Sequence, residues 1–259
     1  MNRHLIQQNI YRIAPPLLLL TLLIACEPLP SQPHQIPAPS PILRIGLSDG
    51  AGAMADLLTA YDRASIQFIY ANEATLFADL ADGQLDAILA YTVPSDAWAS
   101  PVAVDGLVII VHPESDLDGL SRREVMGLFA GDGDDNALFS RERGAGARAL
   151  FERGVMGERR VSVHAVVQSS DEGMKTAVFQ TFSAIGYSMM SSLSPTDKAL
   201  IIDNIAPSPT TVAAQTYPLT APLYAIAPAE PTGALRDFVA WLQSDEGQKA
   251  IDTVFGTVK

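Results

Sequence analysis

The sequence predicts an α/β protein, with a parallel sheet covered by helices on both faces. Apolar runs of strand length alternate with stretches of helical spacing from residue 42 to residue 90, and the links are short and rich in Ser, Asp, Gly and Asn. The composition agrees: 48% of the 259 residues are hydrophobic, enough to pack a core and too many for a disordered chain. The length suits one two-lobed domain or two small ones.

The first 41 residues read as export and tethering. Arg3 and Arg12 precede an apolar run of nine, residues 17–25, which has the length of a signal core and is too short to span a bilayer. The run ends Leu23, Ile24, Ala25, Cys26, which resembles the bacterial lipobox. Its cysteine is lipidated and becomes the new N-terminus. An uncleaved signal anchor with an incidental cysteine is the other reading. Cys26 is the sole cysteine, so it makes no internal disulfide. Residues 27–41 hold six prolines, which excludes a helix or an interior strand. An extended tether reaching about 45 Å is expected.

The folded part begins with an apolar strand at 42–47 and a turn at Ser48, Asp49 and Gly50. Met54, Leu57, Leu58 and Tyr61 lie at helical spacing, predicting a helix over 53–61. A strand follows at 66–70, a helix at 73–81 and a strand at 87–90. Ligands of such sheets sit at the carboxyl ends of the strands, here near Ser48, residues 72–75 and residues 91–94. The longest apolar strand is expected at 104–113, then a helix over 120–130 with Ser121 as cap. The alternation of 161–167 predicts a strand, and 171–180 a helix capped by Ser170 or Asp171. Strands are expected at 184–187 and 216–224, and helices at 234–242 and 246–254.

Between these elements, residues 141–151 combine Arg141, a turn holding Gly144 and Gly146, and the helix formers Ala149, Leu150 and Phe151. The unpaired amides opening such a helix favour an anion, and an arginine can close over it. A surface loop with solvated arginines is the plain alternative.

Arg141, Gly144, Gly146 and Arg148 stand at the spacing of Arg-x-x-Gly-Ser-Gly-Thr-Arg, the element of the phosphate-binding receptors of ABC importers. Other segments resemble the same family in order. These are Asp105 and Gly106 before the aliphatic run, Phe129 to Gly131 closing a helix, and Ala184, Ile185, Gly186 and Tyr187. Tyr217, Pro218 and Leu219, and Ser244, Glu246, Gly247 and Gln248 follow near the end. The resemblance implies a two-lobed type II periplasmic binding protein fold, with two mixed sheets joined by two crossing strands. Lobe 1 would be 42–105 plus 218–259, and lobe 2 would be 106–217. The crossings would fall at 107–111 and 218–224.

It also implies a ligand between the lobes, phosphate or another small anion, with an ABC permease as membrane partner. The chain would act as a monomer held by lipid on the extracytoplasmic face of the cell membrane. Carried over by position, the ligand residues are Ser48, Asp49, Gly50, Thr75, Thr92, Arg141, Ala145, Gly146 and Ala147. Ala145 and Ala147 stand where the family has a serine and a threonine. Glu73 falls near a second family serine and would repel a dianion. No acid follows the third strand. A solute other than phosphate, or a non-transport adaptor or sensor with a degenerate site, follows from those departures.

A serine hydrolase is the competing class. Gly46, Ser48 and Gly50 match Gly-x-Ser-x-Gly on a strand–turn–helix, with His112 and His164 as candidate bases. The elbow lies on the first strand, so no earlier strand loop can supply an oxyanion hole. We therefore expect no enzyme, no cofactor and no metal. The acidic loop at 132–136 lacks the closing glutamate of an EF-hand. Formal charge is −12, and the first 25 residues hold two of the 17 basic residues and no acidic one. An acidic body with no basic run excludes nucleic acid as a partner and leaves any anion site to local groups.

Overall fold

The structure is a computed structural model and describes residues 41–133 and 136–258. The signal segment, Cys26 and the tether up to residue 40 lie outside the described residues.

In chain order, β1 (Ile42–Ser48) leads through a short 3-10 turn to α1 (Met54–Leu57), then β2 (Ser65–Ala71), α2 (Glu73–Ala81) and β3 (Ala87–Ala90). Next come β4 (Trp98–Val111), β5 (Gly119–Leu120), α3 (Arg122–Ala130), β6 (Ala137–Arg141) and α4 (Gly146–Phe151). β7 (Val166–Gln168), α5 (Asp171–Phe179), β8 (Ala184–Met189), β9 (Lys198–Ala199), β10 (Ile201–Ile202) and α6 (Pro209–Ala213) follow. The chain closes with β11 (Thr220–Ala227), α7 (Gly233–Leu242) and α8 (Asp245–Ile251).

The strands pair in the order β2-β1-β3-β11-β4-β8-β6-β7, with β9 also on β4. β1 runs parallel to β2 and β3, and β11 runs antiparallel to β3 and β4. β4 changes partner midway. Up to Gly106 it pairs with β11, and from Leu107 onward with β8. β6 runs parallel to both β8 and β7. Two mixed strand sets thus share β4, and the point where it passes between them is Asp105 and Gly106.

Sequence and structure agree closely where a periodic face also has a cap. α2 and β3 fall where expected. Asn72 caps α2 by accepting from the Thr75 amide, and Ser121 forms a reciprocal capping box with Glu124 at α3. Ser170, rather than Asp171, caps α5. Four expectations are corrected. The single helix over 53–61 is a 3-10 turn, the four-residue α1 and a second 3-10 turn. The strand expected over 161–167 forms only at β7, and Val163, Val166 and Val167 are exposed, so that alternation has no covered face. The returning strand begins at Thr220, not residue 216, and lies wholly in the first set. β4 starts six residues ahead of the expected strand.

A large apolar cluster runs through both strand sets, and a smaller one, Leu76, Leu80, Leu85, Ile88, Ala90 and Ile226, lies under α2. In the second set Phe151 stacks on Tyr187 with centroids 4.1 Å apart, and Phe129 packs edge-on against Phe151. This aromatic packing fixes the Tyr187 hydroxyl, which receives the Arg141 amide at 2.9 Å and lies 2.8 Å from Ser140 Oγ. The C-terminal segment is tied back by a paired bridge between Val104 and Gly256.

Candidate functional site

The site is built where β1, β3 and α2 end or begin near the loop before α4. The Asn72 cap sets Glu73 as the first residue of α2 and turns its side chain inward, where it is 1% exposed. Its carboxylate accepts the amides of Tyr91 at 2.7 Å and Thr92 at 3.1 Å, both just past β3. The Thr92 hydroxyl donates to it as well, and the buried Ser48 at the end of β1 lies close by. Burial pushes this carboxyl above its ordinary range, against the pull of those hydrogen bonds.

On the opposite side Gly146 presses directly on the carboxylate. A Cβ there would lie 2.0 Å from Glu73 Oε1, so any other residue would push the carboxylate from its place. Gly144 adopts φ +93°, and its carbonyl accepts the Ala74 amide at 3.1 Å; a Cβ on it would strike Ala74. The opening of α2 is thereby stitched to the loop that opens α4.

Arg141 is placed differently from the sequence expectation. It does not stand open to a solute. Its side chain is fully buried and is spent on the chain's own acids: Nη2 on Asp49, Nε and Nη2 on Glu142 at 3.0 and 3.1 Å, and Nη1 at 3.9 Å from Asp171. Nε also donates to the Gln168 carbonyl. Asp49 in turn accepts the Asp171 amide at 3.2 Å. Arg141 Nη1 and Asp171 Oδ2 are the two atoms of this cluster without a hydrogen-bond partner. Burial raises the Asp171 pKa, opposed by Ser192, Ser188 and Arg141.

Of the positions carried over by resemblance, Ser48, Thr92 and Gly146 meet at the Glu73 carboxylate. Ala145 and Ala147 flank Gly146 and are buried. Asp49 belongs to the Arg141 cluster, and Gly50 faces Met189 from across the two strand sets. Thr75 stands apart from these: it is exposed, and its amide is used by the Asn72 cap. The sequence reading missed a third cluster. Asp105, at the switch point of β4, accepts Tyr91 Oη at 2.7 Å, Ser191 Oγ at 2.6 Å, and the amides of Gly106 and Ser191. The aspartate before Gly106 was a visible signal, but its partners come from distant segments. Its carboxyl is pushed up to about 6 by complete burial.

An open basin of about 800 Å³ adjoins this region, and its lining includes Glu73, Thr92 and Ala145 together with Arg143, Arg148, Arg159 and Arg160. Arg148 pairs with Glu152, and Arg159 with Asp132. The Ser48 elbow meets no histidine. His112 lies against Phe179 and Phe182, His164 is exposed, and the partner of Ser48 is Glu73. Among the described residues no group of His, Cys, Asp and Glu is arranged to hold a metal, and no helix is long and apolar enough to cross a membrane.

Comparison with known proteins agrees with this architecture. The chain is 30% identical over 169 residues to the phosphate-binding protein PstS of Bacillus subtilis, covering 61% of this chain and 56% of that one. It is 33% identical over 122 residues to phosphate-binding protein PstS 2 of Streptococcus pneumoniae, covering 44% and 42%. The matched regions thus span about half the length of these relatives. A phosphate-bound ABC transporter substrate-binding protein from Clostridium perfringens superposes with a TM-score of 0.77 at 21% identity, over 84% of this chain and all of that one. An ABC-type phosphate transport receptor from Vibrio cholerae gives 0.67 at 22%, over 83% and all of it. These likenesses establish the fold as that of type II periplasmic binding proteins. The description "PBP superfamily domain" matches residues 46–246, and the chain belongs to that superfamily.

Proposed function

We propose that the chain is an extracytoplasmic receptor that binds phosphate or another small anion and delivers it to an ABC permease. Lobe 1 is 42–105 plus 218–259 and lobe 2 is 106–217, with the ligand region at Ser48, Thr92 and Gly146 between them. The protein is a monomer, lipid-anchored through Cys26, and does no catalysis. One observation carries the binding reading. Two amides and a hydroxyl converge on a single buried acceptor, the arrangement that an oxyanion requires. The buried guanidinium of Arg141 also keeps one nitrogen unspent. Homology to the phosphate-binding proteins supports the choice of ligand class and of partner.

A non-transport adaptor or sensor is the second reading. It is favoured by a specific fact, that the acceptor in the seat is the chain's own Glu73. Thermal unfolding separates the two. A panel of phosphate, sulfate, organic phosphates and carboxylates should include at least one anion that raises Tm saturably, with the rise lost in Thr92→Val. An anion present at 100 times its Kd adds about 2.7 kcal/mol. If none of the panel acts, the receptor reading fails and the adaptor reading takes its place.

A further inference from the structure

The Glu73 carboxylate sits where a receptor of this kind needs a vacancy. A donor spent on the protein's own acceptor is unavailable to a solute. Here the donors are spent. The Tyr91 amide and the Thr92 amide and hydroxyl all donate to Glu73, so this acceptor, which lines the basin, already holds them. The same substitution of self for solute occurs next door, where Asp49 takes up Arg141 and the Asp171 amide. These contacts also join the two strand sets. Gly146 closes on the Glu73 carboxylate, the Gly144 carbonyl accepts the Ala74 amide, and Asp49 reaches Arg141.

We infer that Glu73 is an internal occupant of the oxyanion seat. It takes the donors a phosphate would use and holds the two strand sets together without a solute, so free phosphate binds only by displacing it. This rests on the receptor reading above and determines its selectivity. A dianion arriving against this buried carboxylate meets an acceptor, and the Tyr91 and Thr92 amides and the Thr92 hydroxyl are already taken. Serine at this position would empty the seat and add a hydroxyl at the first turn of α2, while leaving the Asn72 cap intact.

Calorimetry with inorganic phosphate on the unmodified protein, Glu73→Ser and Glu73→Ala tests the inference. The unmodified protein should bind at millimolar strength or weaker. Both variants should bind roughly 100-fold more tightly or better, Glu73→Ser the tighter. Micromolar binding by the unmodified protein overturns the inference on its own, even if neither variant folds, and leaves the receptor reading standing. A folded Glu73→Ser protein with no gain in phosphate affinity also overturns it, and the anion panel then decides the receptor reading separately.

Discussion

Replacing Arg141 with methionine is expected to lower the stability of the folded chain by about 3–5 kcal/mol, the cost of leaving buried charge uncompensated. The side chain is fully buried, and its donors serve Asp49, Glu142 and the Gln168 carbonyl, with Asp171 at 3.9 Å. Methionine fills much of the volume, so the loss is electrostatic rather than a cavity. Asp49 and Asp171, bridged by the Asp171 amide, are left close together with no cation between them. Arg141→Lys keeps the charge but not the planar fork, and should fall between the two. Urea denaturation is the measurement, read as a shift in midpoint at constant slope. A loss below about 1 kcal/mol would show that the ion cluster is a surface-grade pairing. The expectation differs from one in which Arg141 is the ligand's main charge, since there the loss would appear in affinity and not in the stability of the unliganded protein.

Asp105 gives the second large effect, and its sign is fixed by the direction of its shift. Its carboxyl is raised from 3.8 to about 6 by burial, so between those values the folded state holds a proton that the unfolded state has released. Stability therefore falls as pH rises through about 4 to 6, by up to about 3 kcal/mol from this group. The protonated form has a ready set of partners. Tyr91 Oη and Ser191 Oγ both lie near the Gly50 carbonyl, at 3.2 and 3.3 Å, so each can accept from Asp105 and donate onward. Asparagine can use the same rearrangement. Asp105→Asn should fold, lose this part of the pH slope, and gain relative to the unmodified protein as pH rises from 4 to 7. Glu73 and Asp171 are also raised, so the comparison is read as the difference between the two proteins. Equal slopes would contradict the assignment.

The sequence conveyed the frame better than the chemistry. The buried strands β1 and β3 were legible as apolar runs, and α2 and α3 because period and cap agree there. β6 was missed. It is a five-residue strand carrying Ser140 and Arg141, and polar residues in a short run leave no period to read. The expected strand at 161–167 failed for the opposite reason, since its alternating pattern has nothing to pack against. At the site, resemblance singled out Ser48, Thr92 and Gly146, which the fold brings near one another, yet it treated Glu73 as a charge that a ligand would meet rather than as the group already seated. That step needs the distance between Gly146 and Glu73, which no spacing encodes. The acids around Arg141 were hidden likewise, because Asp49 and Asp171 are 92 and 30 positions away along the chain and only the fold brings them to it.

The amide protons of Tyr91 and Thr92 report most directly on whether the anion seat is filled by the chain's own carboxylate. In isotope-labelled protein freed of small anions, both donate to Glu73. Their resonances should titrate together, with an apparent pKa above the 4.5 of an ordinary glutamate, and stay unmoved by micromolar phosphate at constant pH. The contradicting result is a pair of amides that show no titration with Glu73 and shift on adding micromolar phosphate.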